Sequence, residues 1–144
     1  MDNFMNLTIS AKSCNEAFAR SVVAAFTAPL NPTVDEINDI KTAVSEAVTN
    51  CIVHAYGRDE SGIINIDAKI QGNIIHIAIS DKGVGIKDIM QARQPFFTTK
   101  SDDEERSGLG FTVMETFMDS LRVEPNGDRG VVVKMAKAIN HTED

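Results

Sequence analysis

The chain has little cysteine, no cluster of positive charge and no long apolar run, and each absence narrows its function. Its 2 cysteines form no C-x-x-C pair and no disulfide framework, so we expect two reduced, packed thiols. The net charge is -7 and the pI is about 4.9, and no basic stripe is present to neutralise nucleic-acid phosphates. Protein partners are therefore favoured over nucleic acid.

No apolar stretch approaches the roughly 20 residues that span a bilayer, and residues 1–30 lack the basic start and apolar core of a signal peptide. We therefore expect a soluble, cytoplasmic protein with no membrane contact. A chain of 144 residues, 42% of them hydrophobic, is long enough for one buried core and too short for two ordinary domains. The expected organisation is a single domain over residues 1–144.

Five segments alternate apolar and polar residues with a period of two, which is typical of strands with one buried face. They are residues 5–9, 64–70, 75–79, 121–123 and 131–135. Gly72-Asn73 separates the second segment from the third, and Pro125-Asn126-Gly127 separates the fourth from the fifth. Turn residues between alternating runs predict two antiparallel hairpins.

Apolar residues at helical spacing predict three helices, two after the first strand and one before the last hairpin. The pairs Ser13–Glu16 and Thr33–Glu36 are capping boxes that mark the first two helix starts. This order predicts a two-layer α/β sandwich in which helices cover one face of a mixed β-sheet. The irregular stretch between residues 82 and 110 is long for a loop within a domain, which favours a functional lid.

The second predicted helix carries Glu46 and Asn50 four residues apart, hence on one face. Partial burial would raise the pKa of Glu46 and suit it as a general base. The neutral oxygen of Asn50 can bind Mg²⁺ beside a triphosphate. His54 extends the face by one turn and is expected to pack or line a nucleotide rather than hold zinc. Chance placement on a solvated helix face would also explain the pair.

A second motif, Asp81-x-Gly83-x-Gly85, follows the third predicted strand. A carboxylate there can accept a hydrogen bond from the exocyclic amine of adenine, a donor that guanine does not present at the same position. Gly83 and Gly85 permit positive φ and a close approach of the backbone to a ligand. A plain turn would need only one glycine, so the spacing favours a binding site.

The irregular stretch holds a third group of polar residues. The run Ser107, Gly108, Leu109, Gly110 stands immediately before the third helix, whose N-terminus would direct backbone N–H groups at a phosphate. Two hydroxyls and two cations precede it, in Thr98, Thr99, Lys100 and Arg106. Such cations stabilise charge during phosphoryl transfer. Together the three motifs predict an ATP site without a Walker lysine loop.

In combination, these motifs resemble the ATP-binding fold shared by gyrase, heat-shock protein 90, histidine kinases and MutL. Within that superfamily, the strings SEAVTNCIVHAY, PFFTTK and ERSGLGFTVMETFMD are similar to the small bacterial anti-sigma serine kinases, nearly end to end and most closely to the sporulation type. The resemblance implies a homodimer that binds ATP and Mg²⁺. It further implies binding and inhibition of a sporulation sigma factor (sigma F type) and phosphorylation of a serine in a small anti-anti-sigma protein.

The same resemblance assigns roles to individual residues. Glu46 would be the base for the serine hydroxyl, Asn50 the Mg²⁺ ligand and Asp81 the adenine contact. The implied phosphate lid comprises Thr98, Thr99, Lys100, Ser107, Gly108, Leu109 and Gly110. Arg106 would contact the terminal phosphate. Arg20, in the first helix, matches a position used for partner docking, although the sequence alone shows only an exposed helical arginine.

The chain departs from the family pattern at one position. The glycine of the last hairpin is commonly followed by threonine, whose hydroxyl helps the aspartate hold adenine, whereas Val131 follows Gly130 here. A water or a backbone group can replace that hydroxyl, but we expect weaker nucleotide binding.

Three other functions fit parts of the sequence. A general stress-response anti-sigma kinase would differ only in its partners. A nucleotide-dependent binding module without kinase activity would keep the pocket, although Glu46 and Arg106 argue against it. A detached ATPase domain of a histidine kinase is disfavoured, because no segment outside the predicted ATP fold would supply a dimerising helix pair with a phosphoacceptor histidine.

Overall fold

The structure is a computed structural model that describes residues 2–83 and 111–140. Its strands, numbered in chain order, are β1 (Asn3–Ser10), β2 (Ile63–Gln71), β3 (Ile74–Ser80), β4 (Ser120–Pro125) and β5 (Val131–Ala138). The helices are α1 (Cys14–Thr27), α2 (Val34–Asn50) and α3, of which residues 111–117 are described. A 3₁₀ turn (Ala28–Leu30) follows α1, and a π-helical turn (Cys51–Ala55) continues α2.

The five strands form one sheet in the order β1-β2-β3-β5-β4. All four pairings between these strands are antiparallel, so the prediction of a mixed sheet is wrong within the described residues. The reason is the position of β5. The strands β3 and β4 run in the same direction, as the long connection between them suggests, but β5 lies between them and pairs antiparallel with both.

Alternate residues of the strands face the helices and form the core, which confirms the two-layer α/β sandwich. The buried positions of the central strands are Ile64, Ile66 and Ile70 on β2, and Ile75, Ile77 and Ile79 on β3. They pack with Val23 of α1, Ile40, Val44 and Val48 of α2, and Phe111 and Met114 of α3. The intervening residues of β2, Asp67, Lys69 and Gln71, are exposed on the other face. The helices therefore cover one face of the sheet.

Only one of the two predicted capping boxes forms. At the start of α2, Glu36 N–H donates to Thr33 Oγ1 at 3.1 Å and Thr33 N–H donates to Glu36 Oε1 at 2.9 Å. At the start of α1, Ser13 has helical backbone angles (φ -56, ψ -34) and its side chain makes no cap hydrogen bond. A capping side chain requires the extended backbone that Thr33 has (φ -68, ψ 167). The prediction for Ser13 is therefore wrong.

We expect Thr33→Ala to lower the free energy of unfolding by about 1 kcal/mol, because it leaves a helix N–H without its acceptor. Ser13→Ala is the matched control and should change stability by less than about 0.5 kcal/mol. Denaturant unfolding of the two variants measures both values. Equal losses in the two variants would contradict the assignment of the capping box to Thr33 alone.

The two cysteines differ in environment. Cys51 is buried and Cys14 is exposed, and both are free thiols. The expectation of packed thiols is confirmed for Cys51 and wrong for Cys14, which begins α1 at the surface. No helix in the described ranges combines the length and apolar character needed to cross a membrane.

Candidate functional site

Glu46 lies in a cleft between α1 and α2. The cleft is lined by Glu16, Arg20, Asn38, Lys41, Thr42, Ser45 and Glu46. Glu46 is partly buried, and burial, followed by the negative charge of Glu16, raises the pKa of its carboxyl group. The predicted direction of this pKa shift is confirmed. A carboxylate with a raised pKa holds a proton more readily than an ordinary glutamate, as a general base must.

Arg20 projects from α1 into the same cleft. Its Nη1 atom lies 3.0 Å from Oε2 of Glu16, one helical turn earlier, and both side chains are partly exposed. The arginine is therefore neither free nor fully solvated. It stands at the rim of the cleft that contains Glu46, so a partner that contacts Arg20 would reach the cleft of the candidate base.

Asn50 lies one turn beyond Glu46 on α2. The side chain is 7% exposed, and its Nδ2 atom is buried with no hydrogen-bond partner among the described residues. An unpaired buried amide is costly in a folded protein. Its carboxamide is a neutral oxygen donor of the kind that Mg²⁺ accepts. The unpaired atom is the nitrogen donor and not the oxygen, so the role of Asn50 as a metal ligand stays a prediction.

The helix does not continue straight beyond Asn50. Residues 51–55 form a π-helical turn in which the Tyr56 N–H donates to the Cys51 carbonyl at 3.0 Å. His54 lies in this wider turn and is partly buried. The straight α-helical line on which Glu46, Asn50 and His54 were expected to lie is therefore interrupted after Asn50. Single π turns in α-helices are frequent at functional sites.

Asp81 is buried at the end of β3, with 6% of its surface exposed. Burial raises the pKa of its carboxyl group, and hydrogen bonds from the Gly83 backbone, the Cys51 thiol and the Val131 backbone oppose that rise. The Gly83 N–H donates to Asp81 Oδ1 at 2.9 Å. Cys51 belongs to the turn that continues α2 and Val131 begins β5, so the carboxylate lies where the end of the central strand β3 meets the end of α2.

Cys51 is a functional candidate that the sequence pattern missed. Burial, and then the negative charge of the nearby Asp81, raise the pKa of the Cys51 thiol well above its ordinary value, so the thiol stays protonated. The sequence signal that could have identified Cys51 as a site residue is its position next to Asn50. The link between Cys51 and Asp81 brings the two motifs, one on α2 and one after β3, to the same place.

Gly83 is required for a reason other than the predicted one. Its φ is not in the left-handed region. A Cβ atom at this position would lie 2.1 Å from the Ala55 carbonyl oxygen. The close approach that excludes a side chain is therefore to the backbone at the end of the π turn, and no ligand is needed to explain it.

Val131, which stands where the family pattern has threonine, packs in the core next to Asp81. Val131 is 1% exposed and belongs to the core, and its backbone carbonyl accepts the Asp81 N–H at 3.0 Å. The expected weakening of nucleotide binding stays a prediction.

The remaining predicted site residues lie outside the described residues. They are Gly85, Thr98, Thr99, Lys100, Arg106, Ser107, Gly108, Leu109 and Gly110. In residues 2–83 and 111–140, no group of three or more histidine, cysteine, aspartate or glutamate side chains is arranged to hold a metal ion. A metal at Asn50 would therefore need further oxygen ligands from a bound phosphate, from water or from the rest of the chain.

Comparison with known proteins agrees with this geometry. A family model described as the histidine kinase-like ATPase domain matches residues 9–137. The chain is 58% identical over 137 residues to the anti-sigma F factor of Thermoanaerobacter sp. (strain X514), covering 95% of this chain and 94% of the relative. It is 54% identical over 138 residues to the anti-sigma F factor of Geobacillus stearothermophilus, covering 96% and 94%.

Among solved structures, the catalytic domain of the histidine kinase ThkA in a nucleotide-free form is similar in fold. The TM-score is 0.59 at 18% sequence identity, and the match covers 95% of this chain and 98% of that chain. This likeness confirms the α/β sandwich with its helices on one side of the sheet.

Proposed function

The chain belongs to the histidine kinase-like ATPase family and, within it, to the family of the anti-sigma F factors, and from this premise we propose that it is an ATP-dependent anti-sigma factor that is also a protein serine kinase. It would bind and inhibit a sporulation sigma factor when ATP is bound. It would also phosphorylate a serine of an anti-anti-sigma protein. We propose one catalytic domain over residues 1–144, acting in the cytoplasm as a homodimer.

The buried carboxylate of Asp81 is the observation that carries the proposal. A buried carboxylate needs hydrogen-bond donors, and the Gly83 N–H supplies one at 2.9 Å to Oδ1. A carboxylate can accept about four hydrogen bonds, so Asp81 can accept a further one from a ligand. The exocyclic amine of adenine fits that position, which supports ATP as the nucleotide.

Asn50 would hold Mg²⁺ through its side-chain oxygen. When bound there, the ion would neutralise phosphate charge. The position of Asn50 on α2, one turn beyond Glu46, supports this role. We propose the phosphate lid on sequence grounds, from Thr98 to Lys100 and from Ser107 to Gly110, with Arg106 at the terminal phosphate.

Glu46 would act as the general base. Its carboxylate would accept the proton of the substrate serine while the serine oxygen bonds to the γ-phosphorus. The bond between that phosphorus and the β–γ bridging oxygen would break, leaving ADP and a phosphoserine. Because phosphoryl transfer depends chiefly on positioning and charge, the base has to stand close to the entering hydroxyl. The cleft that Glu46 shares with Arg20 is open to a partner protein, which supports docking through Arg20.

A transfer assay tests the proposal. The protein is incubated with Mg²⁺, labelled ATP and an anti-anti-sigma protein, with and without sigma factor. We expect acid-stable phosphoserine on the anti-anti-sigma protein. Binding of ATP and sigma factor without phosphoserine would leave the alternative, a nucleotide-dependent binding module, and a stress-response sigma factor as the better ligand would identify the other anti-sigma class.

Replacing Asn50 with alanine should weaken Mg²⁺-dependent ATP binding by at least about tenfold, because even the loss of an outer partner of a bound metal costs about 10- to 100-fold. Titration calorimetry with and without Mg²⁺ measures the change. Asn3→Ala is the matched control, since Asn3 is an exposed asparagine on β1, outside the cleft. The ligand role would be excluded if both variants kept the same Mg²⁺ dependence as the parent protein.

A further inference from the structure

We propose that Tyr56, Asn126 and Arg129 form a clamp that positions Asp81, and that this clamp sets the preference of the site for a 6-aminopurine. The inference rests on the proposed nucleotide site and adds positioning residues to it. The name clamp refers to these three side chains throughout.

The clamp acts where the sheet no longer holds the chain. The β3–β5 ladder ends at the pair Ser80 and Val132. Beyond it, Asp81 makes one further ladder-like bond, from its N–H to the Val131 carbonyl at 3.0 Å. The next backbone groups, the Asp81 carbonyl and both polar groups of Lys82, have no strand partner. Asp81 is buried, so its carbonyl needs a hydrogen bond from elsewhere.

The turn between β4 and β5 supplies two of these bonds. Asn126 Nδ2 donates to the Asp81 carbonyl at 2.7 Å, and Arg129 Nε donates to the Lys82 carbonyl at 2.9 Å. The turn is itself closed by the Asn126 N–H, which donates to the Gly130 carbonyl at 3.1 Å. Both donors therefore project from one closed turn onto two successive peptide groups.

Tyr56 supplies the third bond from the opposite side. Its hydroxyl accepts the Lys82 N–H at 2.8 Å and donates to the Ile63 carbonyl at 2.6 Å. Its ring packs over Gly62, where a Cβ atom would lie 2.5 Å from the ring. The hydroxyl is thus fixed by both its own hydrogen bond and the packing of the ring.

The backbone of the turn also lies directly against the clamped segment. Gly130 has φ +92, and a Cβ atom there would lie 2.0 Å from the Asp81 carbonyl oxygen. Only glycine allows this approach. The segment from Asp81 to Gly83 is therefore held by the turn on one side and by the end of α2 on the other.

The clamp determines where the Asp81 carboxylate points. The Asp81 side chain is anchored by the Gly83 N–H, and the direction of that N–H depends on the peptide groups of Lys82 that Tyr56 and Arg129 hold. A binding group has to be placed within about 0.5 Å to make its full contribution. Loss of the clamp should therefore weaken the contact to the 6-amino group more than the contacts to the rest of the nucleotide.

Asn126→Ala tests the inference, with Asn73→Ala as the matched control. Asn73 Nδ2 also donates from a hairpin turn to a backbone carbonyl, that of Ile139 at 3.2 Å, but at the other end of β3. Calorimetry gives the affinity of each full-length variant for ATP and for the purine riboside triphosphate, which lacks the 6-amino group. Thermal unfolding without nucleotide reports stability.

We expect Asn126→Ala to weaken ATP binding by about tenfold and binding of the analogue by less than about twofold, the loss typical of one hydrogen bond to a charged group. Asn73→Ala should leave the ratio of the two affinities unchanged, whatever its effect on thermal unfolding. An unchanged ratio in Asn126→Ala would overturn the inference while leaving the nucleotide site intact. Failure of the parent protein to bind ATP would instead remove the proposed function.

Two further variants separate hydrogen bonding from packing. Asn126→Asp keeps the shape of the side chain but replaces the donor with an acceptor. It should therefore lower the ratio of ATP affinity to analogue affinity at least as much as Asn126→Ala does. Tyr56→Phe keeps the ring over Gly62 and removes only the hydroxyl, and it should lower the ratio in the same direction. A parental ratio in both variants would show that the contacts are merely structural.

Discussion

Replacement of Glu46 with glutamine is expected to reduce serine phosphorylation by about 10²- to 10⁴-fold, the usual contribution of a general base. The carboxamide has nearly the shape of the carboxylate but cannot accept the proton of the serine hydroxyl. ATP affinity should change little, because Glu46 is assigned to the hydroxyl and not to the nucleotide. A transfer assay with labelled ATP, together with calorimetric ATP binding, measures the two effects separately.

Glu60→Gln is the control for this variant, since Glu60 is an exposed glutamate in the loop after α2. It should phosphorylate at the parental rate. Transfer by Glu46→Gln at that same rate would refute the assignment of the base. A joint loss of ATP binding and transfer would refute it as well, because Glu46 would then be part of the nucleotide pocket.

The pH dependence of transfer provides an independent readout of the same base. Burial and then Glu16 raise the pKa of Glu46, and a base acts only when deprotonated. The rate should therefore fall as the pH drops through this raised pKa. In Glu16→Gln the carboxylate charge is removed, while Arg20 and Lys41 remain in the cleft, so the pKa of Glu46 should fall and the acid limb should move to lower pH.

Replacement of Asp81 with asparagine should weaken ATP binding by about 10- to 150-fold, the range for losing a hydrogen bond to a charged acceptor. If the new side-chain oxygen keeps the Gly83 N–H, its NH₂ group faces the purine. That group repels the 6-amino donor of adenine and suits the 6-oxo acceptor of hypoxanthine. The affinity for inosine triphosphate relative to ATP should therefore rise.

Calorimetry with ATP and inosine triphosphate measures this switch, and thermal unfolding without nucleotide shows whether the variant is folded. Asp67→Asn, on the exposed face of β2, is the matched control and should keep the parental preference. A folded Asp81→Asn variant that still preferred ATP by the parental factor would exclude Asp81 as the residue that selects adenine.

Much of the fold could be predicted because its signals are local. The alternation of Ile64, Ile66 and Ile70 gave a strand with one buried face, and the structure places all three in the core. The order of strands and helices likewise predicted the two layers. Which strands pair was harder to predict, because a long stretch of chain separates β3 from its partner β5. For this reason the sheet was expected to be mixed.

The two capping motifs show where local patterns stop being sufficient. Ser13 with Glu16 and Thr33 with Glu36 carry the same signal, yet only Thr33 has the extended backbone that lets its hydroxyl reach the helix N–H. Glu16 instead pairs with Arg20. The same pair of residue types therefore caps α2, whereas at α1 the glutamate lines the cleft. The backbone conformation of the residue before each helix decides between the two.

The candidate site also contains residues that the sequence could identify and residues that only the tertiary structure brings together. Glu46, Asn50 and Asp81 were identifiable from the order of residues, because a helix sets residues four apart on one face and Asp81 directly follows an alternating strand segment. The neighbours of Asp81, namely Cys51, Tyr56, Asn126 and Arg129, were not identifiable. They lie far from it along the chain and meet it only because β5 pairs beside β3 and α2 ends in a π turn against Gly83. Such long-range contacts depend on sheet register and packing, which no local periodicity encodes.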